Sequence, residues 1–447
     1  MRQLIAQGLA RASDTRVVEV GRGLLEDSGA ILARALLDGS RPALVVADER
    51  TFAAAGAAVV ESLRRAGQPL AEPLVFPGRP ALYASHDQAE TVQRRLADDR
   101  AVGVAVGSGT INDLVKLASG QLGRPYAVVG TAASMDGYAG FGAPISRDGV
   151  KLTLPCPAPA VVLFDLDVAA AAPPAMVASG FGDLAAKIPG GADWILADAV
   201  GVEAIDPTAW ELVQTGVGRA LSQPAALAAG QPEAYEALVQ GLILSGLAMQ
   251  VYRGTRPASG AEHYFSHLWE LSHLGQDQDP PLSHGFKVAI GSLAMCAFYE
   301  RFLARRPGPG DVRAAVAAWP EWDQVTADVR RLFSGPLADN AVRETKIKRV
   351  DQDGLRQRLE RLVQGWDDTQ SRLRAQLTPA RRLQDQLRAA GAPTGPDQIG
   401  LSLDALRQTF PRAMYYRSRY TVLDLARELG WFEQLTEEVF APGGLWT

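Results

Sequence analysis

The sequence predicts an α/β half built on a parallel sheet, followed by an all-helical half. Two observations carry this. Short β-branched runs alternate with longer amphipathic stretches from Thr15 to about Ala170, and beyond Pro173–Pro174 strand-like alternation gives way to helical periodicity. Strands separated by helices of that length need crossover connections, which make a parallel sheet covered on both faces.

In order, Arg16–Val20, Ala43–Ala47, Leu74–Phe76 and Ala101–Val106 read as strands buried on both faces, with Tyr126–Gly130 and Ala160–Phe164 closing the sheet. Between them Leu24–Leu37, Thr51–Ala66 and Asp87–Leu96 carry apolar residues at helical spacing. In the second half, helices are expected over Ala175–Ile188, Asp206–Ala220, Glu233–Tyr252, Phe286–Arg305 and Ala314–Leu332. The expected units are residues 1–172 and 173–447, two domains being the natural division of 447 residues. The charge-rich stretch Glu344–Leu387, with Arg356, Arg358, Arg361, Arg372 and Arg374, reads as a solvated helix face with local ion pairs.

Composition narrows the function. A formal net charge of -5 gives no reason to expect nucleic acid or an anionic membrane as partner. The apolar run Ala237–Tyr252 contains Gln240 and Gln250, falls short of the about 20 residues a membrane span needs, and reads as a buried helix. The N-terminus is too charged for a secretory leader. Two cysteines, Cys156 and Cys296, form no CxxC pattern, so a reduced cytoplasmic setting is expected.

Four of the five histidines, His263, His267, His273 and His284, fall between Ser259 and Gly285. Imidazole is the commonest metal ligand and titrates near neutrality, so the cluster points to a metal site, proton transfer or both. The bland alternative is a helix face of half-exposed histidines. His263 and His267 are four apart and share a helical face, so they form one candidate ligand pair, and His263 with His284 forms another. His273 reads as structural or surface. In Ser179-Gly180-Phe181-Gly182-Asp183, Asp183 sits among small and apolar residues, where an ionised carboxylate needs a partner. A divalent cation is one such partner, Lys187 one turn later the other. Two imidazoles and one carboxylate leave a position open for substrate and suit Zn²⁺, Ni²⁺ or Fe²⁺.

Three further stretches belong to the sheet's carboxyl edge. Gly107-Ser108-Gly109-Thr110-Ile111 follows a strand and opens a helix, which suits a diphosphate held against unpaired amides, or a plain strand-to-helix turn. It is not the GxGxxG fingerprint. Asp48 ends a strand, where it can accept from ribose hydroxyls or N-cap the next helix. Thr131-Ala132-Ala133-Ser134-Met135-Asp136 has the small and hydroxyl side chains of a ligand-contacting loop. Asp136 is either a substrate contact or an Asx turn.

GSGTINDLVK, TAASMDGYAG, SGFGDLAAK, RPASGAEHYFSHLWE, LSHGFKVAIG and RSRYTVLDLARELG together resemble the glycerol-1-phosphate dehydrogenase family. That family lies in the larger group of glycerol dehydrogenases, iron-type alcohol dehydrogenases and dehydroquinate synthases. The resemblance runs through nearly the whole chain. It implies a Rossmann-like sheet domain and a helical domain of the dehydroquinate synthase-like type, with the active site between them. It also implies a metal bound by Asp183, His263 and His284, with His267 and Asp136 contacting substrate. Asp48, Gly107 to Ile111 and Thr131 to Ser134 would line the NAD(P)H site. The implied reaction is metal-dependent reduction of dihydroxyacetone phosphate to sn-glycerol 1-phosphate, for phospholipid biosynthesis, in a cytoplasmic homodimer.

Lys187, Arg256 and Lys287 are the candidate cations for the substrate phosphate. Gly140 stands where family members often have serine, and Ile188-Pro189-Gly190-Gly191 should interrupt its helix. The competing readings are a dehydroquinate synthase-like cyclase, a related polyol phosphate dehydrogenase with changed substrate, and a non-catalytic dinucleotide-binding protein.

Overall fold

Valine- and alanine-rich runs pair into one six-stranded parallel sheet in this computed structural model, which describes residues 1–147 and 150–446. The strands are β1 (Val17–Gly21), β2 (Ala43–Asp48), β3 (Leu74–Phe76), β4 (Val102–Gly107), β5 (Ala127–Gly130) and β8 (Val161–Asp165), in the order β1-β8-β5-β4-β2-β3. The antiparallel pair β6 (Ala143–Arg147) and β7 (Val150–Leu154) stands apart and was not anticipated from the sequence. Alternate residues of each central strand enter opposite cores. Val46, Ala105 and Val128 pack into one, and Val45, Val104 and Val129 into the other. Both faces are therefore covered, as continuous apolar strands require.

The two sheet edges differ from expectation. β1 is only half-buried along its length, and Val75 of β3 is exposed. An edge strand has a neighbour on one side only, so its apolar residues are less enclosed.

From β2 the chain steps outward to β3, then returns to the other flank of β2 and continues through β4, β5 and β8. The direction of travel reverses between β2 and β4, and in open α/β sheets the crevice beyond that point binds ligands.

Six helices position the candidate site: α1 (Gly109–Gln121), α2 (Pro174–Ala185), α3 (Lys187–Ala199), α4 (Pro232–Tyr252), α5 (Ala261–Leu271) and α6 (His284–Leu303). Among the described residues α4 is the one helix long and apolar enough to cross a membrane. Its apolar length is instead buried in the helical core.

Three expectations for the helical half are corrected. The stretch expected as one helix over Ala175–Ile188 breaks at Ala186, one turn before the Pro-Gly-Gly sequence. Pro189 then falls in the first turn of α3, where its missing N–H is not needed. Ala314–Leu332 is two helices, Pro309–Ala317 and Trp322–Leu332, interrupted around Trp319 and Pro320. Finally, the arginine-rich stretch is not wholly a solvated face. Arg356 pairs locally with Asp353, but Arg358 is buried and donates to Glu428 while lying over the Tyr420 ring.

Candidate functional site

The sheet's carboxyl edge gathers the three predicted cofactor stretches. Asp48 ends β2, Gly107 ends β4 and Gly130 ends β5, with Gly107 and Gly130 in register and Thr131 N–H donating to the Gly107 carbonyl at 3.0 Å. Asp48 caps the next helix, accepting from Thr51 N–H at 2.8 Å. Ser108, the N-cap of α1, makes no such side-chain bond, so its helix presents a half-buried, uncapped first turn at the switch point. That arrangement suits an anion such as a dinucleotide diphosphate.

Thr131 to Ala133 are buried, and Ser134 lies 3.3 Å from the Tyr138 hydroxyl. The loop that follows is anchored from α1. Lys116 Nζ donates to the Gly137 and Gly142 carbonyls at 3.0 and 3.2 Å, and Asn112 Nδ2 to Gly137 at 3.3 Å. At Gly140 a Cβ would stand 2.9 Å from Met249 Cε of α4, so methionine occupies space a serine side chain would need.

The helical half contributes the second cluster. α2 carries Asp183 and α6 begins at His284, and two glycines let these helices touch backbone to backbone. A Cβ on Gly285 would lie 2.0 Å from the Ser179 carbonyl, and one on Gly182 2.6 Å from that of Gly285. Side chains at either position would force the helices apart. With the close crossing, Asp183, His263 of α5 and His284 each offer a ligand atom within 4.8 Å of the other two. His263 Nε2 is 3.6 Å from Asp183 Oδ1.

Both imidazoles are held from behind by carboxylates, His263 Nδ1 to Glu262 at 2.8 Å and His284 Nδ1 to Glu270 at 2.7 Å. The His267 ring stacks on His284 at 6.0 Å and lies equally far from His263. His267 falls outside the close group, and His273 is exposed in a left-handed turn. One carboxylate and two imidazoles, with ligand atoms within 4.8 Å of one another, fit a divalent cation.

Lys187, which opens α3, is buried completely and its ammonium has three acceptors. These are Asp136 Oδ2 at 2.8 Å, the Asp183 carbonyl at 3.0 Å and Asp183 Oδ1 at 3.2 Å. Asp136 also accepts from Ser245 Oγ at 2.8 Å, and its own N–H donates to Asp183 Oδ2 at 2.9 Å. Its side chain thus binds α3 and α4 rather than its own turn.

Burial works against an ionised Asp183, yet the Lys187 cation, the His263 hydrogen bond and His284 hold its carboxyl well below the usual range. Burial likewise opposes the charged forms of Lys187 and His263, and the surrounding carboxylates raise both. Arg256, a candidate for substrate phosphate, is buried. It donates to the Tyr420 and Asp193 carbonyls and pairs with Glu203, so it serves the core.

Sequence reasoning missed Glu262, Glu270 and Ser245. A glutamate directly before a candidate ligand histidine was the signal for Glu262. The other two are joined to their partners only by the fold.

The family model for iron-containing alcohol dehydrogenases matches residues 19–173. Among solved structures, a probable glycerol dehydrogenase from Sinorhizobium meliloti superposes with a TM-score of 0.58 at 16% identity, covering 95% of this chain and 98% of that one. An iron-containing alcohol dehydrogenase from Corynebacterium glutamicum gives 0.59 at 17%, covering 95% of each. The fold is that of the iron-type alcohol dehydrogenase group, with a parallel-sheet half and a helical half.

Within that group, the glycerol-1-phosphate dehydrogenase [NAD(P)+] of Geobacillus stearothermophilus is 32% identical over 312 residues, 68% of this chain and 76% of that protein. That of Halalkalibacterium halodurans is 36% identical over 258 residues, 57% of this chain and 64% of that protein, so this match spans less than two thirds of the relative's length. That of Pyrococcus horikoshii is 31% identical, over 63% and 77%. The chain belongs to the glycerol-1-phosphate dehydrogenase family.

Proposed function

We propose that this protein is a metal-dependent, NAD(P)-linked glycerol-1-phosphate dehydrogenase that reduces dihydroxyacetone phosphate to sn-glycerol 1-phosphate. The observation that carries the reading is the convergence of Asp183, His263 and His284, in a chain whose sheet carries an uncapped helix N-terminus at its switch point. Relatives bearing that activity in their names, at 31–36% identity, support it.

Asp183, His263 and His284 would hold a divalent cation, Zn²⁺ or Ni²⁺ or else Fe²⁺. When bound, the cation supplies a Lewis acid for the C2 oxygen of the substrate. The nicotinamide supplies the hydride. Gly107 to Ile111 would hold the cofactor diphosphate at the α1 N-terminus, with Asp48 at the adenosine ribose and Thr131 to Ser134 along the cofactor. Asp48 would accept hydrogen bonds from the ribose hydroxyls and disfavour a 2′-phosphate.

His267 would contact the substrate and pass a proton to the C2 oxygen. The distances of its ring from His263 and His284 support that role. Asp136 would act at the same end of the substrate, with Lys187 and Ser245 fixing its carboxylate. Two free, buried cysteines and the buried α4 support a cytoplasmic setting, and the resemblance to the family implies a homodimer.

The test is a reduction assay with dihydroxyacetone phosphate in which the product is resolved by enantiomer. Net NADH oxidation yielding sn-glycerol 1-phosphate supports the reading. A sugar-phosphate cyclase would consume no NADH, and a binding protein would retain NADH without turnover, so either outcome overturns it.

A further inference from the structure

We propose that Glu262 and Glu270 of α5 are positioning residues that fix both imidazoles in the Nδ1–H tautomer, leaving each Nε2 lone pair for the cation. The inference rests on the reading of Asp183, His263 and His284 as its ligands.

The two glutamates lie at opposite ends of one helix and serve histidines on two helices. Glu262 is the second residue of α5, and neighbouring side chains on a helix do not ordinarily face each other. Glu262 instead turns back toward the helix start. Its Oε1 accepts from Gly260 N–H at 2.6 Å and meets His263 Nδ1 at 2.8 Å. Next to it, Asp193 Oδ2 accepts from Ala261 N–H at 2.8 Å, so carboxylates occupy the positive end of the helix. Glu270, one residue before the helix ends, reaches His284 Nδ1 on α6 at 2.7 Å.

The distances decide the tautomer. A carboxylate only accepts, so a neutral ring places its single hydrogen toward the closer one. For His263 that is Glu262 at 2.8 Å rather than Asp183 at 3.6 Å. His284 has Glu270 at Nδ1, which sends its Nε2 lone pair to the cluster.

Burial points the same way. Glu262 has no exposed surface, and its Oε2 has no hydrogen-bond partner among the described residues. A buried carboxylate with one unsatisfied oxygen is costly. Holding His263 gives this carboxylate a role that the Gly260 N–H alone does not, since a neutral residue could cap that N–H. Carboxylates behind metal-ligating histidines fix ring orientation and raise ligand basicity, and their loss typically weakens metal binding about 10–100-fold.

The test uses the full chain labelled with ¹⁵N-histidine, which carries five histidines, together with Zn²⁺ affinity by chelator competition. In the metal-free protein at alkaline pH, the ¹⁵N shifts of His263 and His284 are expected to report Nδ1–H. Glu270→Leu should release His284 toward the Nε2–H form while leaving His263 unchanged. Glu262→Gln preserves the shape of the buried side chain and should raise the Zn²⁺ dissociation constant about 10–100-fold, with Glu270→Gln at the lower end because His284 is partly exposed.

Nε2–H rings in the metal-free wild type would overturn the proposal, as would unchanged Zn²⁺ affinity in both glutamine variants. The ligand reading fails separately. If His263→Ala binds Zn²⁺ as tightly as wild type, the cation lies elsewhere, while the tautomer measurement still reports on Glu262 and Glu270.

Discussion

Replacing Lys187 with methionine probes how the site tolerates its buried charges. Methionine keeps most of the length and apolar volume of the lysine stem but removes the ammonium, whose three hydrogens have three acceptors within 3.2 Å. In the metal-free protein two adjacent carboxylates then lose their shared cation. Asp183 keeps the Asp136 N–H and Asp136 keeps the Ser245 hydroxyl, so neither is stripped of hydrogen bonds. Breaking a buried ion pair by removing one partner costs about 3–5 kcal/mol.

Urea unfolding of metal-free wild type and variant should therefore differ by about that amount. Adding Zn²⁺ should recover more stability in the variant than in wild type, because the cation replaces the lost charge. Asp183→Asn in the same background should relieve part of the cost. A metal-free Lys187→Met protein within about 1 kcal/mol of wild type, with no extra gain from Zn²⁺, would refute the view that Lys187 compensates Asp183 and Asp136.

Further expectations follow from the same geometry. His284→Ala should abolish both bound metal, by elemental analysis of dialysed protein, and activity, whereas His273→Ala should change neither. Gly285→Ala should separate α6 from α2, since its Cβ meets the Ser179 carbonyl at 2.0 Å. Its readout is loss of Zn²⁺ affinity together with a lowered Tm. Burial pushes Glu428 up to about 7 against the pull of Arg358 and Tyr420. The folded state then holds a proton that the unfolded chain has released, so stability is highest below the unfolded value near 4.5 and falls as pH rises toward 7. Urea unfolding at pH 5 and pH 8 should show a Glu428-dependent loss of about 2.5 kcal/mol that Glu428→Gln removes.

The central strands β2, β4 and β5 were legible to within a residue because each is an apolar run enclosed on both faces. The hairpin β6–β7 was not, since Ala143–Arg147 mixes proline, serine and arginine with its apolar residues. Helix breaks were misplaced where local chemistry permitted two answers. Proline at 189 could end one helix or sit in the first turn of another, and the break at Ala186 places it in the first turn of α3.

In the candidate site, Asp183 stood out as a carboxylate in apolar surroundings, and His263 and His284 as members of a cluster. The choice between His267 and His284 was not legible in spacing, because it depends on the Gly182–Gly285 crossing that brings α6 against α2. Nor could spacing reveal that Asp136 and Asp183 share Lys187, a contact between loop and helix formed only when the two halves pack together.

On the proposed function, hydride moves between a nicotinamide and C2 of a triose phosphate at the Asp183, His263 and His284 cluster. The most direct measurement is reduction of dihydroxyacetone phosphate with NADH deuterated at the transferred C4 position, before chelation, after it, and after metal is restored. One deuterium at C2 of sn-glycerol 1-phosphate per NADH oxidised is expected, lost on chelation and regained with Zn²⁺ or Ni²⁺. Product free of deuterium, or turnover unaffected by complete removal of metal, would contradict it.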